Sequence, residues 1–144
     1  MRLAASHAAD IPTSPANAAG IVIGAIAGRE ALISQCRELD VEHATKDSIY
    51  TTYFNSAFAI KLRARDILLA EAKRAGTAEE QIRDLITKIA DSVSDEMKQA
   101  FRVNSAMFKQ RCEDLRGIPL DAVNAMTDLR ETYPDAVNVL EQWH

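Results

Sequence analysis

Residues 14–38 of the 144-residue chain read SPANAAGIVIGAIAGREALISQCRE. Ser14 is a residue type that caps helix N-termini, and Pro15 suits the first helical position, where no backbone N–H is needed. Apolar residues then recur at the three- and four-residue spacing of one helix face, as far as Cys36. The stretch therefore predicts the first helix of the fold, over residues 15–38.

Glycine and proline divide the rest of the chain into three more helices. Gly76 is a residue type that ends helices, and the sequence from Thr77 to Glu80 has the form of a capping box that opens the next one. Pro134 is expected to kink or split the last helix, because proline cannot donate the helical hydrogen bond. Predicted helices 2, 3 and 4 cover, in order, residues 41–75, 77–115 and 120–143.

These lengths and short connections predict the architecture. Neighbouring helices joined by short loops run antiparallel, so we expect an all-α, up-down-up-down four-helix bundle with a long central hairpin of helices 2 and 3 and a kinked or split C-terminal helix. At about 1.5 Å per residue, the hairpin would span roughly 50–57 Å against roughly 36 Å for helices 1 and 4. The tip of the hairpin, near Ile82 and Leu85, should then project beyond its partners. The bundle forms one domain, residues 14–144.

Composition and the N-terminus bound the function classes. A formal net charge of -4, with 47% hydrophobic and 26% charged residues, is ordinary for a globular domain. The basic stripe of a nucleic-acid-binding protein is missing, so no nucleic-acid partner is expected. Residues 1–13 are predicted to be disordered or extended. They lack the apolar stretch of roughly 7–15 residues of a secretory signal, yet residues 6–8 (SHA) resemble the end of one, so a signal remnant and a cytosolic N-terminus both stay open.

The two cysteines predict a disulfide bond. Cys36 lies near the end of helix 1 and Cys112 near the end of helix 3, and these helices run parallel in an up-down-up-down bundle. Both cysteines then reach the same end of the bundle, where a disulfide requires Cα atoms within roughly 4.4–6.8 Å. Disulfides persist in oxidising compartments, so a periplasmic or secreted location is expected. The alternative is a cytoplasmic protein with two buried free thiols.

Helix 1 carries a row of three glycines at four-residue spacing, Gly20, Gly24 and Gly28. Each glycine lowers the stability of the helix by about 0.5–1 kcal/mol relative to alanine. Close packing of another backbone against the glycines usually compensates for this loss. In one interpretation a neighbouring helix of the same chain packs tightly on the row. In the other, residues 18–27 are apolar nearly all round, so one side faces a second subunit, a partner or an apolar ligand. The uncharged run stops at Arg29, so no stable membrane span is expected.

Motifs for catalysis, metals and cofactors are missing from the sequence. The three histidines are scattered, and no HxxxH, HExxH, CxxC or CxxCH spacing occurs. We therefore expect no enzyme and no cofactor, but a non-enzymatic protein-binding or accessory module of exported bacterial type, such as an inhibitor or immunity-type factor. Its partner would be another protein or a second copy of itself. The alternative is a bundle that holds a small apolar ligand between its helices. The candidate interface comprises Gly20, Ile23, Gly24, Ala27, Gly28, Ile82 and Leu85.

Overall fold

The computed structural model describes residues 12–39, 51–52, 55, 57–119, 121–123 and 128–144, and every regular element in these ranges is helical. The predicted all-α class is confirmed. Apart from residues 12 and 13, the expected N-terminal segment lies outside the described residues, as does most of the first part of predicted helix 2. The bounded helices are α1 (Pro15–Leu39), α2 (Phe58–Arg74), α3 (Glu79–Val103), α4 (Ser105–Arg116), α5 (Leu129–Thr132) and α6 (Pro134–Gln142).

Helix α1 begins where the sequence predicts and occupies the centre of the described fold. The Ser14 hydroxyl accepts the backbone N–H of Asn17 at 3.0 Å, which satisfies one of the unpaired donors of the first turn. No residue from 18 to 36 is exposed, because α1 contacts α2, α3, α4 and α6. The hairpin that was expected to be central is therefore peripheral to α1. The reason is that α1 is apolar on nearly all sides, whereas α3 is apolar on one side only.

The contacts of α1 with its neighbours show the directions of α2 and α3. Lys61, early in α2, forms an ion pair of 2.7 Å with Glu30 in the second half of α1, while Ile67, further along α2, packs in the same cluster as Val22. Helix α2 therefore runs antiparallel to α1. The start of α3 packs beside the first half of α1 and its end beside the second half, so α3 runs parallel to α1.

Two apolar clusters form the core of the described fold. The first is built on the first half of α1, and the second surrounds the cysteines and contains the buried aromatic rings. The buried members of the first core cluster are Ala18, Ala19, Val22, Ile23, Ile26, Ala57, Ala64, Ile67, Leu129, Ala136, Val137 and Leu140. Those of the second core cluster are Ile33, Cys36, Phe101, Phe108, Cys112, Leu115 and Val123.

The turn after α2 confirms the role expected of Gly76. This residue has φ of 76°, a left-handed conformation that glycine adopts without steric cost. Its N–H donates to the carbonyl of Lys73 at 3.2 Å, and the Thr77 N–H donates to the carbonyl of Ala72 at 2.8 Å. This pair of hydrogen bonds is the Schellman motif, which satisfies the last carbonyls of the helix.

The predicted capping box at the start of α3 is wrong. The residue that precedes α3 is Ala78, and no side chain caps the helix. Thr77 belongs to the Schellman motif of the preceding helix, so it lies one residue too early to cap α3. The first turn of α3 instead carries Glu79 and Glu80, whose negative charges favour the positive end of the helix dipole.

The predicted split of the C-terminal helix is confirmed. Tyr133 separates α5 from α6 with φ of -132° and ψ of 61°, and Pro134 is the first residue of α6. A proline disfavours the helical conformation in the residue before it, because its ring collides with that residue's backbone. It is tolerated at the start of the next helix, where its missing N–H costs nothing.

Arg63 of α2 attaches the end of α6 to the rest of the fold. Its guanidinium donates to the carbonyl oxygens of Leu140, at 2.6 Å, and of Trp143. The Trp143 indole N–H donates in turn to the Glu71 carboxylate at 3.2 Å. A cation at the last carbonyls of a helix is favoured by hydrogen bonding and by the helix dipole.

We expect Arg63→Ala to lower the free energy of unfolding by about 1–2 kcal/mol, because it removes charge-assisted hydrogen bonds from a half-buried site. Arg65→Ala is the matched control, since Arg65 is exposed on the same helix and should change the stability by less than about 0.5 kcal/mol. Urea denaturation followed by Trp143 fluorescence measures both. Equal stability of the two variants would contradict the assigned role.

Candidate binding surface

The three glycines of α1 lie half-buried, and none is used for close packing within the described chain. A Cβ atom added to Gly20, Gly24 or Gly28 would meet no described atom within 4 Å outside the helix's own backbone. The expectation that a neighbouring helix packs tightly on the row is therefore wrong for the described residues. Among the described residues, the row is a part of α1 that no neighbour packs against closely.

The other α1 residues of the candidate interface divide between the core and the glycine row. Ile23 is only 6% exposed and belongs to the first core cluster, so its assignment to an interface is wrong. Ala27 is half-buried and remains beside the glycine row. Ile23 was misassigned because an all-round apolar segment does not reveal which of its sides the neighbouring helices cover.

Helix α3 presents an apolar stripe that the described chain covers only in part. An amphipathic helix normally turns such a stripe into the core, but the first buried residue of α3 is Phe101, near its end. Leu85 is 49% exposed, and the other members of the stripe are half-buried. We call these residues the α3 stripe: Ile82, Leu85, Ile86, Ile89 and Val93.

The glycine row and the α3 stripe lie on adjacent helices. Helices α1 and α3 are in contact, and Ile86 of the stripe packs on the first core cluster together with Ile21 and Ala25 of α1. Gly28 lies within about 20–60° of Ile21 and Ala25 around the helix axis, since successive residues turn by about 100°. The two remaining parts of the candidate interface, the glycines and Ile82 with Leu85, therefore lie on helices that contact each other, and Gly28 is the glycine nearest the side of α1 that carries Ile21 and Ala25.

The second core cluster contains the predicted disulfide. Cys36 is bonded to Cys112 with a Cα–Cα distance of 5.3 Å, so the predicted pairing is confirmed. The bond joins α1 to α4, because predicted helix 3 bends at Asn104 into α3 and α4. Asn104 has φ of -126° and ψ of 51°, and the bend stacks Phe101 on Phe108 with ring centroids 4.4 Å apart.

A groove of about 470 Å³ lies beside this disulfide, between α1, α3 and α4. Of the described residues that line it, three are cations, Lys98, Arg102 and Lys109, and one is an anion, Glu38. The spacing of these cations in the sequence indicates a shared face: Arg102 and Lys109 follow Lys98 by four and eleven residues, which places all three on one side of a continuous helix. The described residues that line it are Gln35, Glu38, Leu39, Lys98, Phe101, Arg102, Ser105 and Lys109.

The polar groups in the part of the chain that the structure describes neither form a metal-binding cluster nor leave a buried side-chain atom unsatisfied. Within those ranges, no cluster of three or more histidine, cysteine, aspartate or glutamate residues could hold a metal ion. The same residues include no buried side-chain nitrogen or oxygen that lacks a hydrogen-bond partner. Both cysteines are bonded to each other, so neither offers a thiolate to a substrate.

Helix α1 is also long and apolar enough, by length and composition alone, to cross a membrane. The central helix of a folded domain and a signal sequence near an N-terminus have the same properties. In its most apolar window of 18 residues, 39% of the residues are buried inside the protein. Its contacts with four other helices are those of a core helix, and the absence of a stable membrane span stays a prediction.

The described residues thus place the chain in the class of disulfide-linked, all-helical domains. No protein-family model, curated protein sequence or solved structure matches it.

Proposed function

We propose that this chain is a non-enzymatic protein-binding module, of accessory or inhibitor type, that works in the periplasm or outside the cell. The α3 stripe carries the proposal: it is the apolar side of a 25-residue amphipathic helix, and nothing in the described chain covers it fully. Water contact with such a stripe is unfavourable by about 25 cal/mol for each square ångström of apolar surface. A partner that covers the stripe would gain this free energy.

The glycine row favours a helical partner. We propose that a partner helix packs along both α3 and the neighbouring α1, where the glycines carry no side chains and two backbones can approach closely and gain van der Waals contacts. The free energy of these contacts would offset the helix stability that is lost because glycine has a lower helix propensity than alanine. The partner we propose is an apolar helix of another protein, or of a second copy of this chain.

The disulfide supports the proposed location, because such a bond persists where the surroundings are oxidising. The proposal also includes the topology of the helices. An up-down-up-down four-helix topology is supported by α2 running antiparallel to α1 and α3 running parallel to it.

Leu85→Glu tests the surface, with Met107→Glu as the matched control. Leu85 and Met107 are 49% and 51% exposed, so each change places a charge on a similarly open position and should leave the fold intact. Only Leu85 belongs to the α3 stripe. We expect Leu85→Glu to abolish the complex and Met107→Glu to leave its affinity within about threefold, because charge is costly only where water is excluded.

The measurement is native mass spectrometry of the protein isolated from its source, followed by sedimentation of the purified chain. A dimer or a stoichiometric complex that Leu85→Glu dissociates supports the proposal. A monomer in both measurements, or a complex equally insensitive to both variants, would overturn it. The alternative function, a small apolar ligand held beside the glycines, predicts a monomer that carries extra mass removable by detergent.

A further inference from the structure

We infer that the groove beside the disulfide binds a single-chain anionic amphiphile of the fatty-acid class. This ligand site is separate from the surface proposed for protein binding, and neither depends on the other. The groove has the apolar walls and the cationic rim that such a molecule requires.

The cations of the groove recognise the anionic head. Within the described residues, neither Lys98 nor Lys109 has an ion pair or hydrogen bond, and Arg102 donates only to the neutral Gln99 side chain, at 2.7 Å. Glu38, the carboxylate among the described lining residues, accepts a hydrogen bond of 3.5 Å from Gln35. Among the described residues of the lining, three cations against one anion leave an excess of positive charge, in a chain whose net charge is -4. An anionic head would relieve their mutual repulsion and form charge-assisted hydrogen bonds.

The walls of the groove recognise the tail. Leu39 is 52% exposed, Phe101 also lines the groove, and the lysine side chains add their own methylene stems. A volume of about 470 Å³ lies in the range of roughly 300–1,000 Å³ of small-molecule pockets. An inorganic anion would leave Leu39 in water, and an uncharged lipid would leave the cations unpaired, so a molecule with both parts fits best.

The groove continues along the disulfide. A second groove of about 260 Å³ shares Leu39 and Lys109 with the first and is also lined by both cysteines, Glu113 and Arg116. Because the two grooves share Leu39 and Lys109, we propose that the alkyl chain follows a path from the first groove into the second. The disulfide holds this path open, because it fixes the end of α1 that carries Leu39 against the helix that carries Lys109.

Laurate is the probe, and titration calorimetry is the measurement. We expect saturable binding with one laurate per chain, weakened by added salt because charges supply part of the affinity. The double variant Lys98→Gln/Lys109→Gln should bind about a hundredfold more weakly, since each charge-assisted hydrogen bond contributes about a tenfold effect. The control Lys73→Gln/Lys88→Gln changes the net charge equally at two exposed lysines outside the groove and should keep wild-type affinity.

Leu39→Ser tests the tail. Removing this apolar wall should weaken laurate binding about tenfold, whereas Met107→Ser should not change it. Circular dichroism of every variant establishes that the helices remain, as expected for exposed positions.

Four results would overturn the proposal: no saturable laurate binding, an equal loss in the groove and control variants, equally tight binding of dodecanol or inorganic phosphate, or binding only to vesicles of anionic phospholipid. Wild-type affinity in Leu39→Ser would also overturn it, because the tail would then lie elsewhere. A protein complex that persists or dissociates in these variants leaves the inference unaffected, since the α3 stripe is unchanged in all of them.

Discussion

Replacing both cysteines by alanine should lower the free energy of unfolding by about 4 kcal/mol. The bond closes a loop between residues 76 apart, and a cross-link of that span removes about 4 kcal/mol of chain entropy from the unfolded state. The second core cluster is small, so little else holds the end of α1 to α4. Urea denaturation of Cys36→Ala/Cys112→Ala against the wild type, both monitored by circular dichroism, measures the loss.

Two controls separate the bond from the side chains. Reduction of the wild-type protein should reproduce most of the loss, because it breaks the cross-link and keeps both sulfur atoms in the core. Met107→Ala, at an exposed position of α4, should change the stability by less than about 0.5 kcal/mol. Reduced and oxidised protein of equal stability would show that the bond contributes nothing, and unchanged electrophoretic mobility on reduction would show that it does not form.

The parts of the fold that the sequence predicted correctly are set by local chemistry or by a forced pairing. Ser14 caps α1 with its own hydroxyl, Gly76 adopts the left-handed conformation that ends α2, and Pro134 separates α5 from α6. Each of these depends on a few neighbouring residues. With only two cysteines in the chain, a single intramolecular pairing is possible. The predicted helix directions place both cysteines at the same end of the bundle.

The bend at Asn104 could not be predicted, because helical hydrogen bonds continue on both sides of it. The Asn104 N–H donates to the Ala100 carbonyl at 2.9 Å, and its own carbonyl accepts from Phe108 at 3.1 Å. The apolar residues therefore keep the three- and four-residue spacing of a single helix on both sides of the bend. Its consequence for the site is that Lys109 comes from a different helix axis than Lys98 and Arg102, which makes a groove of what would otherwise be one cationic face.

The surface of α1 was beyond prediction for a different reason. A segment that is apolar on nearly all sides must be surrounded by neighbours, but the sequence does not say which side each neighbour covers. Ile23 and Gly24 are consecutive residues and share the same apolar context. In the structure Ile23 lies in the first core cluster, and a Cβ at Gly24 would meet no described atom. Only the tertiary arrangement separates a core position from a candidate binding position.

The triple variant Gly20→Ala/Gly24→Ala/Gly28→Ala should raise the free energy of unfolding by about 1.5–3 kcal/mol. Alanine is favoured over glycine in a helix interior by about 0.5–1 kcal/mol per residue, because glycine loses more backbone freedom on folding. The gain is realised only where the methyl group has room, and all three positions are open in the described structure. Urea denaturation measures the change, and the three single variants should add to the same total, since the positions do not share a neighbour.

Gly76→Ala is the matched control, because there the same substitution should destabilise the protein. Gly76 also has room for a Cβ, but its φ of 76° costs an alanine about 1–2 kcal/mol. A stabilised triple variant that no longer forms the complex would mean that the glycines are kept for a partner at the expense of the fold. A destabilised triple variant would instead mean that some other part of the chain packs on the glycine row. That result would contradict the proposal that a partner helix packs there.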